Sequence, residues 1–149
     1  GGDEINIIRE RDSIREEPLL TRNYGWPIVS NGINYNGTSF TNLTSMEGTE
    51  SPLYFWTPSI APSGLVMLTS DIYDEWKGNL FIGSLRFRYL ERVELIGNYV
   101  YKREKLLDRV GRVREVVQGP DGYLYVGIEN KGVFKIIPSK VYIENDISE

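Results

Sequence analysis

Short apolar segments at even spacing constrain the fold of this chain more than any other feature of its sequence. They begin 10 to 15 residues apart, near the spacing of about 8–12 residues typical of sandwiches, barrels and propellers, and they contain many β-branched and aromatic residues. Turn-forming residues separate them, most clearly Gly97-Asn98 and the Gly-Pro-Asp-Gly stretch at 119–122. A helical period is weak throughout. The pattern therefore predicts an all-β protein built from antiparallel strands.

The predicted strands fall into two consecutive groups, each typical of one blade of a β-propeller. The first group has four strands and the second has three, at 64–69, 79–85, 89–95 and 99–106, then 112–117, 123–128 and 133–137. A closed propeller needs about four to eight blades. Two blades cannot close a ring, so we expect this chain to be a fragment of a larger propeller or to assemble with other chains.

The chain then divides into 1–63, the end of a preceding blade with a long loop; 64–107, one four-stranded blade; and 108–149, an incomplete last blade with a tail. A start with Gly-Gly-Asp-Glu and no Met also indicates a proteolytic product or a truncated chain.

The first third is irregular. We predict a short strand at 4–8, a charged helical turn or exposed insertion at 9–17, and a surface loop at 30–51 rich in Asn, Gly, Ser and Thr. Trp26 and Trp56 are expected to pack in the core.

The composition excludes several kinds of chemistry. The 149 residues include no Cys and no His, which removes disulfides, thiolate nucleophiles, His-ligated metals and Ser-His-Asp catalysis within this chain. A formal net charge of -4 argues against a nucleic-acid partner. No run of about 18 apolar residues is present, so no membrane span is expected.

Strand order in an up-and-down blade brings four polar residues to one face near the propeller axis. Ser59 precedes the first strand, Arg86 follows the second, and Arg112 and Arg114 begin the next blade. Three guanidinium groups at a channel mouth indicate an anionic ligand, because they bind carboxylates in a bidentate manner. The alternative for each arginine is a solvated side chain or a surface ion pair, with Glu91 and Glu115 as available partners.

Six segments, in this order, resemble the C-terminal part of the soluble PQQ-dependent aldose sugar dehydrogenases, the glucose/sorbosone dehydrogenase family. They are GGDEIN at 1–6, NYGWP at 23–27, WTPSIAPSG at 56–64, GNLFIGSL at 78–85, GRVREV at 111–116 and QGPDGYLYV at 118–126. The resemblance implies a six-bladed β-propeller that oxidises the anomeric carbon of an aldose to a lactone, with hydride transfer to pyrroloquinoline quinone (PQQ). It also implies an external electron acceptor and a periplasmic or extracellular location.

The same resemblance implies roles for individual residues. Ser59, Arg112 and Arg114 match positions that bind PQQ, and Arg86 falls where the family usually has Lys. Glu4 and Tyr24 match positions that bind a structural Ca²⁺, and a second Ca²⁺ on PQQ has its ligands upstream of Gly1.

Two departures from the family pattern bear on function. The stretch at 9–20 is longer than usual, and the family's general base, a His from an earlier blade, is absent from this chain. We therefore expect the chain to supply cofactor-binding arginines but no catalytic residue, and to be inactive alone.

Alternatives are a non-enzymatic propeller that serves as a binding module and, less favoured, a lactonase-type propeller enzyme. Exposed blade edges would favour association of copies into a homo-oligomer.

Overall fold

The computed structural model describes residues 2–8 and 22–139. The charged insertion predicted at 9–17 and the end of the predicted tail lie outside the described residues. The chain divides into two compact units, 1–59 and 60–149. Within the described residues no helix has the length and apolar character needed to cross a bilayer.

The first unit contains one pair of short antiparallel strands, β1 (Asp3–Ile5) and β2 (Tyr54–Trp56), with Glu4 opposite Phe55. The strand predicted at 4–8 is therefore present but ends at Ile5. Strand β2 was not predicted, because its three residues are too few to show an alternating pattern.

The loop predicted at 30–51 is irregular, with a single isolated bridge between Ile33 and Ser39 in its described residues. The prediction for the tryptophans was half right. Trp56 is buried, whereas Trp26 is 71% exposed and stacks on Phe40 with a centroid distance of 4.8 Å. A tight turn that follows Gly25 holds Trp26 at the surface of the unit, since the N–H groups of residues 28 and 29 both donate to the Gly25 carbonyl.

The second unit begins with a four-stranded antiparallel meander, which confirms the first predicted blade. Its strands, in both sequence and spatial order, are β3 (Pro62–Met67), β4 (Leu80–Ser84), β5 (Leu90–Ile96) and β6 (Tyr99–Leu106). Strand β3 lies two residues earlier than predicted. Its register shifts between Pro62 and Leu65, and this β-bulge extends the pairing back to Pro62.

A three-stranded antiparallel sheet follows, as predicted for the second blade. Its strands are β7 (Val113–Gln118), β8 (Leu124–Ile128) and β9 (Gly132–Lys135), and each boundary lies within two residues of the prediction. All four residues of β9 are exposed, and β9 is the outer strand of the sheet. The described residues are thus all-β, and the second unit holds one four-stranded and one three-stranded sheet.

The hydrophobic core of the second unit lies between its two sheets. Buried residues from both sheets form it, namely Leu68, Phe81, Leu90, Val113, Val116, Leu124, Val126 and Ile128, together with Tyr73. Tyr73 comes from the connection between β3 and β4. Its hydroxyl donates to the Ile136 carbonyl at 2.7 Å and accepts the Leu124 N–H at 2.7 Å. The carboxylates of that connection, Asp71, Asp74 and Glu75, are exposed.

Glycine permits the two sheets to approach closely at Gly83. A Cβ atom at this position would lie 2.4 Å from Ser63 Oγ and 2.8 Å from Val113 Cγ1, both below any real contact distance. Ser63 cannot easily move away, because its hydroxyl donates to the Val113 carbonyl at 2.6 Å and so ties β3 to β7. The start of β7 is therefore fixed against the first sheet.

We expect Gly83→Ala to lower the free energy of unfolding of the whole protein by about 1–3 kcal/mol, since a methyl group here overpacks the junction between the sheets. Urea unfolding of a double-mutant cycle with Val113→Ala is the measurement. Removing the Val113 methyl groups should reduce the cost of the Gly83 substitution. Additive effects of the two changes would contradict this packing.

Candidate functional site

The loops at the two ends of the second unit carry opposite charge. At one end lie residues 85–89, 107–112 and 129–131, which connect β4 to β5, β6 to β7 and β8 to β9. We call this the basic end: its loops hold five cationic side chains, Arg86, Arg88, Arg109, Arg112 and Lys131, and two carboxylates, Asp108 and Glu129.

The loops at the other end, 68–79, 97–98, 119–123 and 136–139, hold four carboxylates and one cation, Lys77. One of these carboxylates, Asp121, accepts hydrogen bonds from Lys135 Nζ at 3.0 Å and Tyr125 Oη at 2.8 Å. Both hydrogen bonds lower the pKa of Asp121 below its usual value, and the bond from Lys135 has the larger effect. A chain with a formal net charge of -4 thus concentrates positive charge at one end of this unit.

Arg86 occupies the basic end at the first turn after β4. Its backbone N–H donates to the Ile60 carbonyl at 3.1 Å, which fixes the turn to the residues before β3. Its guanidinium lies 5.1 Å from the centre of the exposed Phe87 ring, within cation–π range, and Phe87 in turn stacks on Tyr89. The side chain is therefore held at the surface on an aromatic support.

Arg112 and Arg114 share one carboxylate, that of Glu129. Arg112 Nε lies 3.3 Å from Glu129 Oε2, and an Arg114 terminal nitrogen donates to Glu129 Oε1. The backbone joins the same residues, because the Glu129 N–H donates to the Arg112 carbonyl at 2.9 Å. The register of β7 against β8 shifts between Val113 and Glu115, so Arg114 is the extra residue of a β-bulge.

This geometry leaves both arginines able to bind a further anion. A guanidinium has five N–H donors, so two arginines carry more donors than their one shared carboxylate can accept. The two arginine side chains remain about half exposed, at 45% for Arg112 and 52% for Arg114. Glu129 therefore orients the pair without covering it.

Arg112 and Arg114 form the exposed ion pairs that the alternative describes, but with Glu129 rather than with Glu91 or Glu115. Glu91 is buried and accepts from Arg103, and the Glu115 carboxylate accepts the N–H of Val116. The sequence offered no direct signal for Glu129, because the contact depends on the pairing of β7 with β8 and on the bulge at Arg114.

The structure thus brings three of the predicted residues, Arg86, Arg112 and Arg114, to one end of one unit. Ser59 is partly buried and is the last residue of the other unit, directly before Ile60.

Glu4 and Tyr24 both lie in the first unit and are both partly buried. Glu4 is the middle residue of β1, where Oε2 of its carboxylate accepts from Asn6 Nδ2 at 3.3 Å. The Tyr24 hydroxyl donates to the Ile7 carbonyl at 3.2 Å, so Tyr24 contacts the residues that follow β1. Among the residues that the structure describes, no group of three or more acidic, His or Cys side chains could hold a metal ion. One carboxylate and one carbonyl fall short of the six to eight oxygens that Ca²⁺ takes, so any such site needs backbone oxygens as well.

Known proteins with similar sequences cover nearly all of this chain. It is 40% identical over 129 residues to the protein described as aldose sugar dehydrogenase YliI of Escherichia coli K12, a match that covers 85% of this chain and 32% of that protein. It is 39% identical over 127 residues to the uncharacterised protein slr1608 of Synechocystis, with 85% and 28% covered. The chain therefore spans about a third of the length of these relatives.

Solved structures also share the fold of this chain over most of its length. One described as glucose dehydrogenase superposes with a TM-score of 0.78 at 38% identity and covers 93% of this chain and 38% of its own. The soluble aldose sugar dehydrogenase of Escherichia coli, in its apo form, gives a TM-score of 0.74 at 36% identity, with 91% and 37% covered. The sequence model of the glucose / sorbosone dehydrogenase family matches residues 1–136. The chain belongs to the glucose / sorbosone dehydrogenase family.

Proposed function

We propose that this chain is part of a PQQ- and Ca²⁺-dependent aldose dehydrogenase that oxidises the C1 hydroxyl of a sugar to a lactone. In this proposal the chain binds the cofactor, and the remainder of the whole protein supplies the general base, since this chain has no His. PQQ, when bound, supplies a quinone that accepts hydride from C1. We place the enzyme in the periplasm or outside the cell.

The observation that carries the proposal is the placement of three guanidinium groups, those of Arg86 and Arg112 in the loops of the basic end and that of Arg114 on β7 against Glu129 of the same end. PQQ has three carboxylates, and arginine is the side chain best suited to bind a carboxylate with two parallel hydrogen bonds. The paired Arg112 and Arg114, held in orientation by Glu129, are suited to bind adjacent carboxylate oxygens. The donor set at this end therefore fits the cofactor chemically.

Arg86 would take the position that Lys holds in other family members. An arginine there keeps the positive charge but replaces a point charge with a planar fork. Its contact with the Phe87 ring limits the directions in which the guanidinium can point. We propose that Arg86 binds the cofactor from the same end of the unit as the Arg112–Arg114 pair. Ser59 would add one hydroxyl hydrogen bond.

The test of the proposed activity is a dye-reduction assay on the whole protein with glucose, with and without added PQQ and Ca²⁺. We expect reduction only when sugar, PQQ and Ca²⁺ are all present, and none from this chain alone. Dye reduction that persists without PQQ would contradict the proposal.

Glu4 offers a separate test of the proposed structural Ca²⁺. A ligand that binds only the folded state at about 100 times its Kd adds about 2.7 kcal/mol to the free energy of unfolding. We expect Ca²⁺ to raise the Tm of the whole protein accordingly, and Glu4→Gln to abolish most of that rise.

Asp3→Asn is the matched control, since it removes the same charge from the neighbouring position of β1, whose side chain points to the opposite face of the strand. An equal loss of the Ca²⁺ effect in both variants would contradict the assignment to Glu4.

A further inference from the structure

The basic end carries more positive charge than the proposed cofactor site uses. Arg88, Arg109 and Lys131 lie in the same three loops as Arg86, Arg112 and Glu129, and all three are exposed. The stem of Lys131 passes beside Gly111, where an added Cβ would lie 3.7 Å from Lys131 Cε, so this lysine is close to the start of β7.

These cations are poorly neutralised within the described residues. Arg109 lies 3.7 Å from the carboxylate of its neighbour Asp108, and both side chains are largely exposed, so the pair contributes little. No ion pair in the described part of the chain involves Arg88 or Lys131. An exposed end with unbalanced positive charge attracts anions over about a Debye length, roughly 8 Å at physiological ionic strength.

The backbone in these loops is also unusual. Arg88 and Arg109 have φ values of 63° and 58°, in the left-handed region that residues other than glycine seldom adopt. Backbone outliers of this kind cluster at binding and catalytic sites. The two arginines thus occupy sharp turns at an end of the unit that already holds the proposed cofactor ligands.

We propose, resting on the function proposed above, that the electron acceptor of this enzyme is an anion and that Arg88, Arg109 and Lys131 attract it to the basic end. The acceptor must approach the end at which the cofactor is bound. A cationic approach surface raises the association rate of an anion and lowers that of a cation, and salt removes both effects.

The number of electrons released per sugar determines which electron acceptors can be used to test this proposal. Oxidation of one sugar leaves two electrons and two protons on the reduced cofactor. Two molecules of a one-electron acceptor take one electron each, and the two protons pass to solvent. Ferricyanide is a trianion and hexaammineruthenium(III) is a trication. Both are one-electron acceptors, so two molecules of either are reduced for each sugar oxidised.

The experiment measures the second-order rate constant for reoxidation of the sugar-reduced whole protein by each acceptor. At an ionic strength of about 0.01 M, where the Debye length is about 30 Å, the Arg88→Glu/Arg109→Glu/Lys131→Glu variant should react about tenfold more slowly with ferricyanide. The same variant should react faster with hexaammineruthenium(III), and at about 1 M salt both differences should nearly vanish. Lys102→Glu, an exposed change on β6, is the control and should have a much smaller effect.

Equal changes for both acceptors, or no change for either, would overturn the inference while leaving the proposed function intact. Failure of the unmodified protein to reduce either acceptor with sugar and PQQ present would instead contradict the proposed function.

A second measurement requires no enzyme activity. It tests whether the basic end attracts an anion, whether or not the proposed function is correct. Hexacyanochromate(III), an inert paramagnetic trianion, is added to whole protein without PQQ that carries ¹⁹F-labelled phenylalanine. It should broaden the signal of Phe87, at the basic end, more than that of Phe134 on β9, although both rings are exposed. Phe87→Leu assigns the signal. The triple variant should lose the difference; equal broadening of both rings in the unmodified protein would overturn the inference.

Discussion

Replacing both Arg112 and Arg114 with alanine should raise the Kd of the whole protein for PQQ by about a hundredfold to ten-thousandfold. A hydrogen bond to a charged group contributes about 1.5–3 kcal/mol, and each 1.4 kcal/mol changes Kd tenfold. Each single change should therefore raise Kd by about ten- to a hundredfold. The range for the double variant is the product of the two single ranges; because the two arginines share Glu129, we expect the measured double effect to depart from the product of the measured single effects within that range. Equilibrium dialysis of PQQ against each variant is the measurement.

Two further variants separate charge from geometry at this pair. Arg112→Lys keeps the charge and loses the bidentate fork, and we expect an intermediate loss of affinity. Arg109→Ala removes one cation from the same basic end without removing a proposed cofactor ligand, and should leave Kd within about threefold, as expected for an exposed charge. An unchanged Kd in the double alanine variant, with folding intact, would contradict the assignment of these arginines to the cofactor.

Arg103→Ala should destabilise the whole protein by about 3 kcal/mol. Its partner Glu91 lies on β5 with its side chain 1% exposed, and Arg103 Nε on β6 donates to the Glu91 carboxylate at 2.9 Å. Removing one member of a buried ion pair costs about 3–5 kcal/mol, because it removes the counter-charge of a carboxylate that has lost its hydration. We expect the low end of this range, since the Arg103 side chain is itself 32% exposed.

Urea unfolding of three variants tests that assignment. Lys102→Ala, an exposed change on the same strand, should cost less than about 0.5 kcal/mol. Glu91→Leu combined with Arg103→Met removes both charges and should recover most of the stability lost in Arg103→Ala. If Arg103→Ala costs no more than Lys102→Ala, the buried pair does not stabilise the blade.

The strands of the second unit could be predicted because local residues define them. Apolar segments bounded by turns predicted β3 to β9, and the turn residues behave as expected, with positive φ at Gly97 and Gly122 and at Asn130. Strand β2 and the buried Tyr73 could not be predicted in this way. The first is three residues long, and the second is buried by β8 and by residues after β9, which are distant in the sequence.

The candidate site shows the same contrast between features that local sequence predicts and features that depend on distant residues. Strand order alone predicted that Arg86, Arg112 and Arg114 lie at one end of the blades, and the structure places them there. Glu129, the carboxylate that orients two of them, depends on the register of β7 with β8 and on a bulge, neither of which local sequence reveals. The surplus of cations at the basic end likewise depends on the fold, because the chain order alternates the six strand connections of the second unit between its two ends.

The most direct test of the account is a spectral titration of the whole protein with PQQ in the presence of Ca²⁺, followed by addition of glucose. We predict saturable binding with one PQQ per protein, followed by a change of the bound cofactor's absorbance to that of its reduced form when glucose is added. Absence of PQQ binding would contradict the central claim and favour a propeller that serves as a binding module.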